Sequence, residues 1–341
     1  MENKIIKAIR PLGFPWETQD PFLFCVYHKD YYPPGDEHLG VKTEDKQGHR
    51  IGQDFQLKDG FRMYHGSHVP GFPYHPHRGF ETVTINREGF VDHCDSLGGA
   101  GRFGAGDVQW MTAGRGVQHS EMFPLLSQEK SNPLEIFQIW LNLPAAKKMV
   151  DPHFKMLWKD QVPTLKWKDQ KGQAVTLELI AGNLDGQKAP HPTPESWAAD
   201  PAHEVQIWHI QLDPEAEWTI PAATSNQSHR NLYFYQGQNI VLDGQTILSG
   251  TRIELTPDSP AKIINGTSPC SLLFLQGKPI GEKVVQYGPF VMNSEKEIQE
   301  AFEEYRRNEF GAWPWPEQEQ THGATTGRFA RFPDGREEYK E

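Results

Sequence analysis

The chain has 341 residues, a net charge of -11 and 23% charged residues. That acidity excludes direct reading of a nucleic-acid backbone, which needs clustered Lys and Arg. A chain of this length buries a core without disulfide or metal staples, so a metal here is expected to be functional rather than structural. Cys25, Cys94 and Cys270 form neither a zinc spacing nor a disulfide framework, which suits a reducing compartment. The start lacks the apolar core of a signal peptide, and no apolar run is long enough to span a bilayer. The expectation is a cytoplasmic protein with no membrane segment. The 31 Gly and 27 Pro point to turn-rich β structure.

Residues 1–40 predict one strand, over the apolar run Phe22–Tyr27, and a loop after Pro33-Pro34-Gly35. Residues 42–60 are polar, lack a helical period and predict an exposed excursion. Short strands are predicted over Phe61–Tyr64, Glu81–Asn86, Val108–Thr112 and Leu134–Leu143, with turns at Glu88-Gly89, Gly98-Gly99 and Ala113-Gly114. Residues 146–170, basic and mixed, predict a linker. Strands then recur near 174–180, 205–212, 231–235, 239–242, 251–255, 261–265 and 271–276, repeating the first half without a His-x-His pair. After Asn293 a helix is predicted, with Ser294 as N-cap, Glu297 completing a capping box, and Ile298, Ala301, Phe302 and Tyr305 on one face. The tail predicts a surface segment in which Trp313 and Trp315 cover an apolar patch.

Two pairs carry the chemistry. Residues i and i+2 of a strand share a face, so His75 and His77 point together, as do His119 and Glu121. On neighbouring strands they bring three imidazoles and a carboxylate together. That set suits Fe, Mn, Co, Ni or Cu, and Zn less well where positions stay open. For one isolated histidine a packing role is the better reading; two such pairs in a β-rich stretch favour metal. Glu81 has two readings, an acceptor for a ligand imidazole or a non-ligand carboxylate of the cavity. Phe80, Trp110, Met111 and Gln118 are weaker candidates for its wall. His93 is expected at the rim rather than on the metal. Gly99–Gly104 fits GxGxxG, but no helix follows, so it reads as a turn.

His75–Glu81 resembles the first cupin motif, and Gly106-Asp107 through Gly114 to His119 resembles the second. More narrowly, HPHRGFETVT, GDVQWMTAGRGVQHSEM and YGPFVMN resemble the pirin family, and with the repeated β texture the resemblance covers roughly residues 15–310. It implies an all-β fold of two cupin domains, jelly-roll-like β-barrels, with a short C-terminal helix and tail. Residues 1–160 would form the metal-binding cupin, 161–293 a cupin without metal, and 294–341 the helix and tail. It implies metal ligands at His75, His77, His119 and Glu121, with Glu121 displacing Glu81, and iron, Fe(II)/Fe(III), as the usual ion. The chain departs from compact pirins in its longer 28–60 excursion and its tail.

The activity this implies is a metal-dependent dioxygenase of quercetin 2,3-dioxygenase type, which uses O2 to open a flavonol and releases carbon monoxide and a depside. Glu121, or alternatively Glu81, would accept the 3-hydroxyl proton. The alternative is a non-enzymatic redox sensor that binds a regulatory protein partner, a transcription factor or a metabolic enzyme. A third reading is a cupin with an idle metal.

Overall fold

The computed structural model describes residues 4–341 and is mostly β, with one α-helix among the described residues. The N-terminal half runs β1 (Ile6–Pro11), β2 (Phe22–Tyr32), β3 (Gly71–His77), β4 (Phe80–Glu88), β5 (Phe90–Asp95), β6 (Ala100–Gly104), β7 (Val108–Thr112), β8 (Val117–Met122), β9 (Asn132–Asn142) and β10 (His153–Leu157). Next come β11 (Thr164–Lys168), β12 (Ala174–Ala181), β13 (Asn183–Leu184), β14 (Gln187–Lys188), β15 (Gln206–Leu212), β16 (Glu217–Ile220), β17 (His229–Gln236) and β18 (Asn239–Leu242). The chain continues through β19 (Gln245–Leu248), β20 (Thr251–Leu255), β21 (Ala261–Asn265), β22 (Cys270–Gly277), β23 (Val285–Tyr287) and β24 (Phe290–Met292). It closes with α1 (Glu295–Asn308), β25 (Arg328–Arg331) and β26 (Glu337–Lys340).

These elements make two compact units. One holds the segment ending at Cys25 with residues 140–142 and 160–281; the other holds residues 26–139, 143–159 and 282–341. In the first, a seven-stranded sheet, β1-β20-β17-β22-β15-β12-β11, shares one apolar core with the four-stranded sheet β16-β21-β18-β19. Leu177, Ile210, Leu232, Phe274 and Ile263 lie fully buried in that core. In the second unit the sheets are β26-β25-β6-β5-β8-β3 and β10-β7-β4-β9-β2, and Phe103, Met111, Ile136 and Met156 pack between them. The sheets of each unit pack against one another without closing into a ring, a two-sheet sandwich rather than a sealed barrel.

Several expectations are corrected. Residues 146–170 are not a linker: they contain β10 and β11, and Phe154 and Met156 alternate into the core while Lys155 stays half-buried. Phe61–Tyr64 is no strand. It makes isolated bridges to Lys58 and Asp54, and Tyr64 takes a left-handed φ of 55° that a ladder cannot use. The N-terminus supplies a strand the sequence reading omitted, β1 on β20. The tail is more than a surface segment, because β25 pairs with β6 and so extends the six-stranded sheet. Trp313 and Trp315 do pack on an apolar cluster of Cys94, Ala100 and Phe329.

The helix has the expected start. Ser294 Oγ accepts from the Glu297 N–H at 3.3 Å, while the Glu297 carboxylate accepts from Asn293 N at 3.1 Å. Such a cap contributes about 1 kcal/mol. Ile298 and Ala301 are buried on its inner face, and Glu309, in a left-handed conformation, ends it by donating its N–H to Tyr305 O at 2.8 Å.

Candidate metal centre

β3 and β8 are antiparallel neighbours with His75 directly opposite His119. Between Phe72 and His75 the register slips, Phe72 facing Glu121 while His75 faces His119, so β3 carries one extra residue. Such a bulge re-aims the side chains beyond it. β3 is the edge strand of its sheet, which explains how it tolerates Pro73 and Pro76 around the histidines. At the turn into β4, Gly79 has φ 86°, and an added Cβ would meet Val291 O at 2.0 Å. Only glycine fits there.

The three imidazoles converge, with one nitrogen of each within 4.8 Å of the others. His75 Nδ1 donates to Pro73 O at 2.8 Å, which leaves its Nε2 as a lone pair facing His77 Nε2 at 3.1 Å. His119 is fully buried, and neither of its ring nitrogens has a hydrogen-bond partner among the described residues. Burial drives the His75 pKa down to about 4 and holds His77 and His119 well below the usual imidazole range, with His75 adding to the effect on both. Three neutral, converging lone pairs are a cation's donor set. Buried acceptors left without a partner cost about 1–3 kcal/mol each. The site fits a transition metal, as the nitrogen-rich donor set requires.

Glu121 stands beside this set, its Oε2 3.8 Å from His119 Nε2. Thr84 donates to its Oε1 at 3.0 Å and Gln138 to its Oε2 at 2.6 Å, so both oxygens are fixed. Burial raises the Glu121 pKa, against the pull of those two bonds. Glu81 is not brought to the cluster. It lies three positions before Thr84, hence on the opposite face of β4, and accepts from Thr112 Oγ1 at 2.7 Å.

Other expected wall residues divide. The Phe80 ring lies 5.1 Å from that of His77. Met111 is core. Trp110 is fully buried. Gln118 turns away from the cluster, donating to Glu309 O at 2.7 Å and accepting from the Tyr305 hydroxyl at 3.0 Å. His93 is not at the rim. It is fully buried opposite Glu121 on β5, its ring 5.6 Å from His119 and its Nε2 3.1 Å from Asp95.

Sequence reasoning missed Thr84, Gln138 and a set of external anchors. Gln138 did leave a signal, an amide on a strand otherwise apolar from Ile136 to Leu141. The anchors come from the C-terminal segment. Trp313 stacks on Tyr74 at 5.3 Å, Gln318 O accepts from Tyr74 N at 3.1 Å, and Glu304 pairs with Arg78 at 2.7 Å. Lys148, buried in the supposed linker, donates to Gly79 O at 2.7 Å and Val291 O at 3.1 Å, and burial lowers its pKa to about 8.

Comparison with known proteins agrees with this picture. Residues 37–141 match the family model described as Pirin, and residues 207–311 match the Pirin C-terminal cupin domain. Pirin-1 of Arabidopsis thaliana is 39% identical over 248 residues, 71% of this chain and 78% of that protein. A Pseudomonas aeruginosa protein provisionally named a quercetin 2,3-dioxygenase is 35% identical over 240 residues, 70% of this chain and 79% of its own. The crystal structure of a quercetin 2,3-dioxygenase from Acinetobacter baumannii superposes with a TM-score of 0.69 at 26% identity, covering 90% of this chain and 98% of that one.

Proposed function

The chain belongs to the pirin family, and on that premise we propose that it is a metal-dependent dioxygenase of quercetin-like flavonols, with iron held by His75, His77, His119 and Glu121. The observation that carries this reading is the set of three converging, neutral imidazoles in which His77 and His119 are buried and His119 has no hydrogen-bond partner among the described residues. Iron bound there supplies Lewis acidity toward a flavonol hydroxyl and redox chemistry toward O2. The chain's own groups do the rest. Thr84 and Gln138 hold the Glu121 carboxylate in one orientation. Burial raises its proton affinity, which suits it to accept the 3-hydroxyl proton of the substrate. His119 and Phe80 are fully buried, and His77 nearly so, which keeps water from that side of the reaction. Three buried free cysteines fit a reducing cytoplasm. The relatives named for quercetin 2,3-dioxygenase support the substrate class.

The test pairs metal analysis of the isolated protein with O2 uptake on a flavonol panel, using forms loaded with Fe, Mn, Co, Ni and Cu. Uptake by wild type that is lost in His119→Ala is expected. A metal-replete protein that consumes no O2 with any flavonol overturns the reading and leaves a sensor of the kind the family resemblance also implies.

A further inference from the structure

The 42–60 excursion reaches the open side of the metal centre. His77 and His119 are buried, whereas His75 is only half-buried, so the cluster meets its surroundings on the His75 side. Three ring contacts lead outward from there: His75 to Phe72 at 6.2 Å, Phe72 to His65 at 5.8 Å, and His65 to Phe55 at 5.1 Å. Phe72 is half-buried, and Phe55, on the excursion, is 41% exposed. Phe55 thus presents an exposed apolar ring at the outer end of this series of contacts.

This surface is held in place. His65 Nδ1 donates to Gly52 O at 3.0 Å, and Asp54 and Tyr64 exchange backbone hydrogen bonds of 2.9 Å. Tyr64 stands in a left-handed conformation that an aromatic residue rarely adopts, with its hydroxyl bonded to Asp30 at 2.7 Å and to His28 at 2.7 Å. A strained residue fixed by buried partners is typical of a functional surface.

We propose that Phe72, His65 and Phe55 form an aromatic subsite that stacks the distal rings of a planar aromatic ligand whose oxygenated end lies at the histidine cluster. The subsite rests on the dioxygenase reading for its substrate class, but not for its test. The excursion thereby acts as a specificity element: it selects ring-bearing ligands over small chelators of the same metal.

The experiment is equilibrium binding without O2, measured by titrating metal-loaded protein with quercetin and, separately, with azide. Phe55→Ser is expected to weaken quercetin binding by about 3- to 10-fold, the value of one aromatic contact, and to leave azide binding unchanged. Phe55→Trp is expected to restore it. Unchanged quercetin affinity in Phe55→Ser overturns the subsite. So does an equal loss in Leu57→Ser, at an exposed apolar position of the same loop, since that would mean general damage to the loop. Absence of turnover by wild type sinks the dioxygenase reading alone, because the binding measurement does not depend on it.

Discussion

Thr84→Val tests whether Glu121 belongs to the metal. The hydroxyl of Thr84 donates to Glu121 Oε1 at 3.0 Å, and both residues are buried, at 0% and 2% exposure. Valine keeps the shape and removes only the donor. Hydrogen bonds to a charged group contribute about 1.5–3 kcal/mol. Loss of a group that orients a metal ligand costs about 10- to 100-fold in affinity, which is about 1.4–2.7 kcal/mol. Two independent routes thus give the same size. Stability of the metal-free protein should respond less. Burial already raises the Glu121 pKa, so the carboxyl can take up a proton where no cation holds it ionised. The expected result is a 10- to 100-fold weaker metal affinity, by competition with a chromophoric chelator, and a loss of no more than about 1 kcal/mol in urea unfolding of the metal-free protein. Thr82 is the control. It shares the face of Thr84 and is buried, and its hydroxyl has no hydrogen-bond partner among the described residues. Thr82→Val should be neutral or mildly stabilising and leave metal affinity alone. If Thr84→Val lowers stability and spares metal affinity, Thr84 is an ordinary core hydrogen bond and Glu121 is not a ligand.

Arg102→Met removes a guanidinium that pairs with buried Asp92 at 2.6 and 2.7 Å and also donates to Gly323 O and Thr326 O in the tail. An uncompensated buried charge costs about 3–5 kcal/mol; urea unfolding should show that loss, with early trypsin cleavage in the tail, and a change under 1 kcal/mol refutes it. Gln118→Leu deletes the bonds to Glu309 and Tyr305 and should cost about 1–2 kcal/mol together with faster metal release to a chelator; unaltered release would show that the outer tie does not reach the metal. His28 makes a prediction about pH. Burial, then the Arg62 charge, lowers its pKa from 6.5 to about 3, so its contribution is whole above 6.5 and is lost as pH falls toward 3. Asp30, raised by burial to about 6, runs the other way: its contribution is whole below 3.8 and is lost as pH rises through 6. The His28→Asn variant should therefore lose less stability than wild type between pH 6.5 and 4, read from urea midpoints; parallel curves for the two proteins would exclude this role.

How legible the centre was follows from what each feature depends on. His75, His77 and His119 could be assembled from the two-residue period of a strand and one assumed pairing, and the ladder supplies that pairing. Thr84 and Gln138 depend on β4 and β9 approaching β8 from the facing sheet, which no local pattern records. His93, expected at the rim, is buried even though two acids, Asp92 and Asp95, flank it in sequence. Here Arg102 neutralises Asp92, and Asp95 is spent on His93 and on the Leu97 and Gly99 amides. Strand β10 was legible in principle, as Phe154, Met156 and Trp158 alternate, but the lysines between them suggested a linker. The tail strands could not be read locally. β25 is only four residues long and exists because β6 offers an edge.

Placement of the C-terminal segment gives the histidine cluster a support its own strands lack. β3 is an edge strand interrupted by two prolines and a bulge, so it makes few ladder bonds of its own. Strand neighbours point to opposite faces, which means that Tyr74, Arg78 and Gln118 lie behind His75, His77 and His119. Each is held from outside, Tyr74 by Trp313 and Gln318, Arg78 by Glu304, and Gln118 by Tyr305 and Glu309. Metal ligands need positioning to about 0.5 Å. A bulged, proline-broken edge strand cannot supply that by itself, and the helix and tail supply it through the residue beside every histidine. The segment after Glu282 is therefore part of the candidate metal site in the mechanical sense, although it contributes no residue to the histidine cluster.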